Sequence, residues 1–283
     1  MKFNMPGAQL FIPDDAPEQQ ALQRTTCMGV SAHQDDLEIM SYAGIIECFQ
    51  NAEKWFGGVI MTNGGGAPRA DMYADYTDEM MIDVRAVEQK KAAYVGEYGF
   101  QALMHYPSSA IKDPADTAPT EELRALLQIA QPDVIYTHNL ADKHDTHVAV
   151  TVSVIEACRQ LPAEARPKQV IGCEVWRDLD WLNDGDKVLL DCTSHENLQA
   201  ALLGVFDSQV CGGKRYDIAT LGRRRAHATY WESHGVDQAE LLNFGMDLTP
   251  LINDPDMGVA DLVKTYIDSF YAEVAERISK ATG

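Results

Sequence analysis

Between residues 26 and 192, short apolar runs alternate with longer amphipathic stretches, and this alternation limits the fold more than any other feature of the chain. Repeated β-α units of this kind build a mostly parallel sheet with helices on both faces. Candidate strands are residues 26–32, 58–62, 102–106 and 134–138. Between them, Ile39, Met40, Ala43, Ile46 and Phe49 fall at helical spacing, as do Val84, Val87, Tyr94 and Val95. A third helix opens with Thr120 as cap and Glu121 and Glu122 in its first turn, then carries Leu123, Leu126, Leu127 and Ala130. Val148, Val152 and Ile155 mark a fourth. Residues 169–175 and 188–192 read as two further strands, and 197–210, 216–232 and a terminal segment with Val263, Ile267, Phe270, Val274 and Ile278 as helices. The expected architecture is a doubly wound, mostly parallel α/β sheet with additional C-terminal helices and strands. Its 283 residues fit one domain, at the upper limit of a single core. Residues 26–160 would form its motif-bearing core, and 161–283 would complete it.

Charge narrows the partners. Forty-three acidic against 23 basic residues leave a formal charge of −20, which repels phosphate backbones and anionic lipid, so neither nucleic acid nor membrane is expected. No window approaches the roughly 18 apolar residues of a membrane span, and residues 1–15 lack the apolar core of a signal peptide, so a cytoplasmic location is expected. The six cysteines stand singly, without a C-x-x-C pair, and read as small core residues. Two long stretches, residues 63–77 with Gly64, Gly65 and Gly66, and residues 107–119, follow strand ends, where α/β proteins place ligand sites.

The first chemical signal is Ala32-His33-Gln34-Asp35-Asp36-Leu37-Glu38, at the turn from the first strand to the first helix. Histidine and aspartate suit zinc, and a catalytic zinc site takes three protein ligands. His33 and Asp36 could supply two, although either aspartate could also simply cap the helix; Glu38 reads as a residue favouring the helix's positive end. The second signal is His138-Asn139-Leu140-Ala141-Asp142-Lys143-His144-Asp145-Thr146-His147, three of the chain's eight histidines within ten residues. If the first and fourth strands are neighbours, both motifs meet at the carboxyl edge and His147 joins His33 and Asp36.

On these motifs the chain resembles the PIG-L/LmbE family of zinc-dependent N-acetylglucosamine deacetylases. The family's A-H-P-D-D-x-E corresponds to Ala32 through Glu38, and its H-x-x-x-D-x-H-x-D-H to His138 through His147. The glycine loop after the second strand and an R-x-x-E helix, here Arg85 with Glu88, extend the likeness over roughly residues 26–150. The resemblance implies a Rossmann-like fold and a homo-oligomer. It implies that His33, Asp36 and His147 bind zinc, that Asp35 is the general base, that His144 is a protonated partner stabilising developing charge, and that Arg85 contacts substrate. Gln34 stands in place of the motif's proline and Thr146 in place of its last aspartate, so Asp142 or Asp145 would have to orient His144.

The same reading follows from physical chemistry. A zinc ion lowers the pKa of water from about 15.7 to near 7 and polarises an amide carbonyl. A neighbouring carboxylate that is not a ligand can take the water's proton, and Asp35 suits that role; a cationic His144 would stabilise the oxyanion. The expected activity is metal-dependent hydrolysis of the acetamide of an N-acetylglucosamine-type conjugate, with zinc or another divalent metal such as iron. Around this centre, His138 reads either as a group orienting a ligand or as a polar strand end, and Arg85 with Glu88 either as substrate contact or as an exposed ion pair. Arg223, Arg224 and Arg225 read either as a solvated helix face pairing with local acids or as a site for a substrate phosphate or carboxylate; His234 reads as structural or as reaching the pocket, and His105, His195 and His227 carry no role.

Three other readings compete. A zinc hydrolase of another bond class, such as a phosphoesterase or a deaminating amidohydrolase, could use the same triad, although a two-metal phosphoesterase needs more bridging carboxylates than these motifs supply. A non-catalytic sugar or metal binder would have no use for Asp35 and His144. A dinucleotide-binding protein would carry G-x-G-x-x-G where this chain has His-Gln-Asp-Asp.

Overall fold

The computed structural model describes residues 1–283. Its eight strands are β1 (Gln9–Phe11), β2 (Cys27–Ser31), β3 (Phe56–Thr62), β4 (Phe100–Tyr106), β5 (Val134–His138), β6 (Gln169–Cys173), β7 (Lys187–Asp191) and β8 (Leu242–Asp247). They form one sheet of order β1-β4-β3-β2-β5-β6-β8-β7. The run β4-β3-β2-β5-β6 is parallel throughout, while β1 joins β4, β8 joins β6 and β7 joins β8 antiparallel. The expected doubly wound, mostly parallel sheet is therefore present, and it draws strands from both halves of the chain.

The helices are α1 (Glu18–Gln23), α2 (Asp36–Met40), α3 (Tyr42–Cys48), α4 (Asp78–Val95), α5 (Ser108–Lys112), α6 (Ala118–Ala130), α7 (Asp145–Arg159), α8 (Glu196–Gly204), α9 (Asp207–Val210), α10 (Tyr216–Tyr230), α11 (Thr249–Asn253) and α12 (Val259–Thr282). Successive strand residues point to opposite faces, which divides the core in two. Met28, Ile135 and Val170 pack with α6, α7 and α11 on one face; their chain neighbours Cys27, Tyr136 and Ile171 pack with α2, α3 and α8 on the other. Five of the six cysteines are buried, Cys211 being exposed. No helix is long and apolar enough to cross a membrane.

Several boundaries differ from the sequence expectation. The stretch carrying Ile39 to Phe49 breaks at Ser41 (φ −106°, ψ 15°) into α2 and α3, and residues 197–210 break at Phe206 into α8 and α9. The cap of α6 is Thr117, and Thr120 lies inside the helix, because Pro119 fits the first turn, where its missing N–H costs nothing. Strands β1 and β8 lie outside the sequence expectation; both pair antiparallel, apart from the β-α alternation.

What matters for function is the centre of the sheet. The chain leaves β2 through β3 and β4 on one side and returns through β5 and β6 on the other, so β2 and β5 pair side by side, Cys27 opposite Val134. Ligands of open α/β sheets bind at the carboxyl ends of strands at such a reversal.

Candidate active site

After β2 the chain turns sharply into α2, and Asp35, in the turn, adopts φ +93° and ψ −31°, a backbone that residues other than glycine seldom take. Such a conformation costs about 1–3 kcal/mol and persists only when its surroundings impose it. They do so here. The Ala32 carbonyl accepts the Thr62 N–H at 3.0 Å and its hydroxyl at 2.8 Å, and the Ala32 N–H donates to His138 Nε2 at 2.9 Å. The Gln34 carbonyl accepts Arg85 Nη2 at 2.7 Å, and the Asp35 N–H donates to Gln89 Oε1 at 3.3 Å.

This turn and the start of α7 bring three ring or carboxylate atoms together. His33 Nδ1 lies 3.2 Å from Asp36 Oδ2 and 3.2 Å from His147 Nε2, and His147 Nε2 lies 3.4 Å from Asp36 Oδ2. A four-coordinate metal bound at roughly 2.0–2.2 Å separates its N and O ligands by about 3.3–3.6 Å, so this near-equilateral triangle fits zinc or a similar divalent ion without rearrangement. Asp36 is buried, and although burial opposes its charge, His147, His138 and His33 more than offset that and hold its carboxyl well below the usual range. A metal ligand must be ionised in this way.

His138 and His144 also present ring nitrogens within 4.8 Å of cluster members, in the groups Asp36–His138–His147 and His33–His144–His147. His138 Nε2, however, already accepts the Ala32 N–H, and its ring stacks under His147 at 3.8 Å. It therefore supports the turn and the ring of His147. The His144 ring stacks on His147 at 4.5 Å and meets His33 edge-on at 5.1 Å. Burial, then the proximity of His147, lowers the pKa of His144, which works against the cationic form expected for it.

Asp142 lies behind the cluster. One oxygen accepts the His144 N–H at 2.9 Å; the other accepts the Trp176 N–H at 3.0 Å and lies 3.6 Å from His147 Nδ1. Asp145 is exposed in the first turn of α7 and makes no hydrogen bond to His144; Asp142 bonds the His144 backbone N–H, and neither carboxylate bonds the His144 ring. Asp35 faces the cavity with no side-chain hydrogen bond, its nearest charged partner being Arg85 Nη2 at 3.7 Å. Burial raises its pKa well above the usual carboxylate range, with Arg85 opposing, which makes it a stronger base.

Helix α4 departs most from expectation. Arg85 and Glu88 are both buried and form no ion pair with each other. Arg85 donates to the carbonyls of Gly64 (2.9 Å) and Gln34, which joins the glycine loop to the motif turn, and it also lines the cavity. Gly64 has φ +75°, and a Cβ there would meet Gln34 Oε1 at 2.1 Å. Glu88 accepts two hydrogen bonds from Ser208 of α9. Glu38 lies in the first turn of α2, as expected, and is buried there, accepting from Gln89 (2.9 Å) and Tyr98 (2.7 Å); burial pushes its pKa up to about 7.

Only Arg225 of the arginine run is exposed. Arg224 is fully buried, Arg223 donates to the Val175 carbonyl at 2.7 Å, and Arg225 to that of Glu240 at 3.0 Å. His227 pairs with the buried Glu174 at 3.0 Å and stacks on Phe244, a structural contact remote from the cluster.

A cavity of about 250 Å³ opens over the cluster, just below the usual ligand-site range of about 300–1,000 Å³ and on the scale of a single sugar ring. Its walls include Gly64, Gly66 and Pro68 of the glycine loop and Ser108 and Lys112 of the segment after β4, the two stretches expected as rims. Trp176, Gln209 and Tyr216 complete them. No sequence signal marked these three, because they reach the site only through tertiary packing. A larger hollow of about 640 Å³, lined by Glu18, Gln19 and Gln128 among others, holds no comparable chemistry.

Residues 28–158 match the family model described as "PIG-L: GlcNAc-PI de-N-acetylase". No curated protein matches the chain. Among solved structures, a conserved protein of Thermus thermophilus superposes with a TM-score of 0.61 at 15% identity, over 83% of this chain and 100% of that one. The 4-carboxy-2-hydroxymuconate hydratase of Pseudomonas putida gives 0.61 at 17%, over 79% and 96%. The N,N'-diacetylchitobiose deacetylase of Pyrococcus horikoshii gives 0.59 at 17%, over 78% and 83%. At these identities the likeness establishes the shared fold.

Proposed function

We infer the function of this chain from the PIG-L family domain that residues 28–158 form: it is a metal-dependent hydrolase that removes the acetyl group from the nitrogen of an N-acetylglucosamine-type sugar conjugate. The observation that carries the reading is the triangle of His33 Nδ1, Asp36 Oδ2 and His147 Nε2 beside a buried Asp35 carboxylate that faces the cavity with no side-chain hydrogen bond.

His33, Asp36 and His147 would hold zinc, with iron a chemically suitable alternative for two imidazoles and a carboxylate. Bound there, the metal supplies a Lewis acid for the amide carbonyl and lowers the pKa of water to about 7. Asp35 takes the proton of the attacking water. Its raised pKa suits both that step and the return of the proton to the departing amine nitrogen. The backbone N–H of His144 donates to Asp142, and the His144 ring stabilises the oxyanion by donating a hydrogen bond. Asp142 and His138 fix the ring of His147 from behind and from its face. Arg85 holds the carbonyl of Gln34 and so the strained backbone that aims Asp35 into the cavity.

The test is amine release from a panel of N-acetylglucosamine conjugates by metal-stripped protein, with and without zinc, beside Asp35→Asn. The reading predicts release that zinc restores and that Asp35→Asn abolishes while leaving zinc bound. Well-folded, zinc-loaded protein that releases no amine from any conjugate would overturn it. Because a hydratase shares the fold, hydration of an unsaturated carboxylic acid is the control reaction.

A further inference from the structure

Gln209 is 4% exposed on α9, lines the cavity and lies outside the residues that match the family model. A relay from α4 dictates its orientation. Glu88 accepts the Ser208 N–H at 2.8 Å and the Ser208 hydroxyl at 2.6 Å. Having given its one proton to a carboxylate, Ser208 Oγ can only accept further hydrogen bonds. The Gln209 atom 3.0 Å from that oxygen must therefore be Nε2, which turns a choice normally left open for an amide into a determined one. The end that remains is Oε1, which accepts no hydrogen bond within the chain. A carboxamide anchored at its nitrogen and lining the cavity thus offers an acceptor and selects for a donor on the ligand.

On the same cavity, Trp176 and Tyr216 meet edge-to-face, ring centroids 6.0 Å apart at 82°. The backbone N–H of Trp176 is tied to Asp142, the carboxylate behind His147, so this aromatic wall is fixed relative to the metal ligands. An aromatic wall packs against the C–H face of a sugar ring, and the hydroxyls at that ring's edge need partners.

We propose that Gln209 Oε1 is a specificity determinant that accepts a hydrogen bond from one ring hydroxyl of the substrate, with Trp176 and Tyr216 as the wall against which that ring packs. Glu88 and Ser208 are positioning residues, since they set which end of the Gln209 amide faces the ligand. The identity of the substrate as a sugar rests on the deacetylase reading; the orientation of the amide does not. A site built around an acceptor penalises an analogue lacking the matching hydroxyl, because the acceptor is then left unpaired.

The experiment uses full-length, zinc-loaded protein and N-acetylglucosamine conjugates lacking the hydroxyl at C3, C4 or C6. Amine release and calorimetric affinity are read for wild type, Gln209→Leu and Glu88→Gln, with thermal melting as the folding control. Wild type loses about 10–100-fold in kcat/KM on one analogue, mainly through KM, as expected for one acceptor left unpaired. Gln209→Leu lowers the parent to the level of that analogue and abolishes the difference between them. Glu88→Gln can donate to Ser208, which frees the Ser208 hydroxyl to donate to Gln209 and lets the amide turn over; the discrimination is then lost with Gln209 intact. That last readout separates positioning from a merely structural role. Wild type without preference in the series, or a folded Gln209→Leu that keeps the preference, overturns the proposal. If wild type releases no amine at all, the deacetylase reading fails, and the calorimetric preferences alone decide for or against Gln209.

Discussion

The amide oxygen of Gln89 accepts the backbone N–H of Asp35 at 3.3 Å, while the nitrogen of the same side chain donates to Glu38 at 2.9 Å. One buried residue of α4 therefore spans the motif turn from the proposed base to the end of the motif. Gln89→Leu leaves the Asp35 N–H and the Glu38 carboxylate without these partners and should cost about 1–3 kcal/mol of stability. The strained turn loses one of its restraints, so kcat should fall roughly tenfold or more with KM little changed, because misplacement acts on the reacting geometry more than on binding. Steady-state kinetics and thermal melting on zinc-saturated protein check both halves.

Arg85 sits one helical turn before Gln89 and donates to the carbonyls of Gln34 and Gly64. A lysine presents one compact charge in place of a planar fork and cannot reproduce both bonds. Arg85→Lys should accordingly lower kcat at nearly constant KM. A rise in KM at constant kcat would instead mean that the guanidinium binds substrate directly, as its motif implies.

How much of this was legible in the chain depends on sequence distance. His33, Asp35 and Asp36 sit in one turn, and His147 follows the neighbouring strand, so local pattern plus the adjacency of β2 and β5 was enough to assemble them on paper. Whether Arg85 and Glu88 make a substrate contact or an exposed ion pair stayed open in the sequence, because an i, i+3 spacing says nothing about which way the helix turns its polar side. Here α4 buries Arg85, Glu88 and Gln89 together, Arg85 and Gln89 bonded to the motif turn and Glu88 to α9. Gln209 was invisible for a plainer reason. Its orientation depends on Glu88, 120 residues from Ser208 in sequence, and no periodicity or motif encodes that meeting. The basic run misled in the same way: Arg224 reads as solvated until the fold places it in the core.

Asp142 holds the Trp176 N–H at 3.0 Å and stands 3.6 Å from His147 Nδ1. Carboxylates behind a ligating histidine fix its tautomer and raise its basicity, and their loss typically costs 10–100-fold in metal affinity. Asp142→Asn should weaken zinc binding by about that factor while the protein stays folded, since an amide keeps an acceptor for the His144 N–H. Competition against a chromophoric chelator measures it. Unchanged affinity would remove Asp142 from the support of the metal site.

Arg224 has no exposed surface and no acidic partner within ion-pair range; it spends its donors on neutral oxygens. Two are the carbonyls of Glu38 (2.9 Å) and Ile39 (2.7 Å), near the end of α2; the others are Asn243 Oδ1 (3.3 Å) and Gln199 Oε1. A helix end leaves its last carbonyls without intrahelical partners, and a cation there also answers the helix dipole. Because α2 is only five residues long and begins with Asp36, what caps its end also holds the proposed metal ligand at its start. Arg224→Met keeps most of the volume and removes every donor, leaving buried carbonyls unpaired at a cost of roughly 2–4 kcal/mol. The expected result is a melting temperature lower by several degrees, with weakened zinc affinity in the fraction that folds. Arg225→Met, on the exposed side of the same helix, should change stability by no more than about 0.5 kcal/mol. If the two variants melt alike, Arg224 is not what anchors α2, and the cluster of His33, Asp36 and His147 must be held by the turn alone.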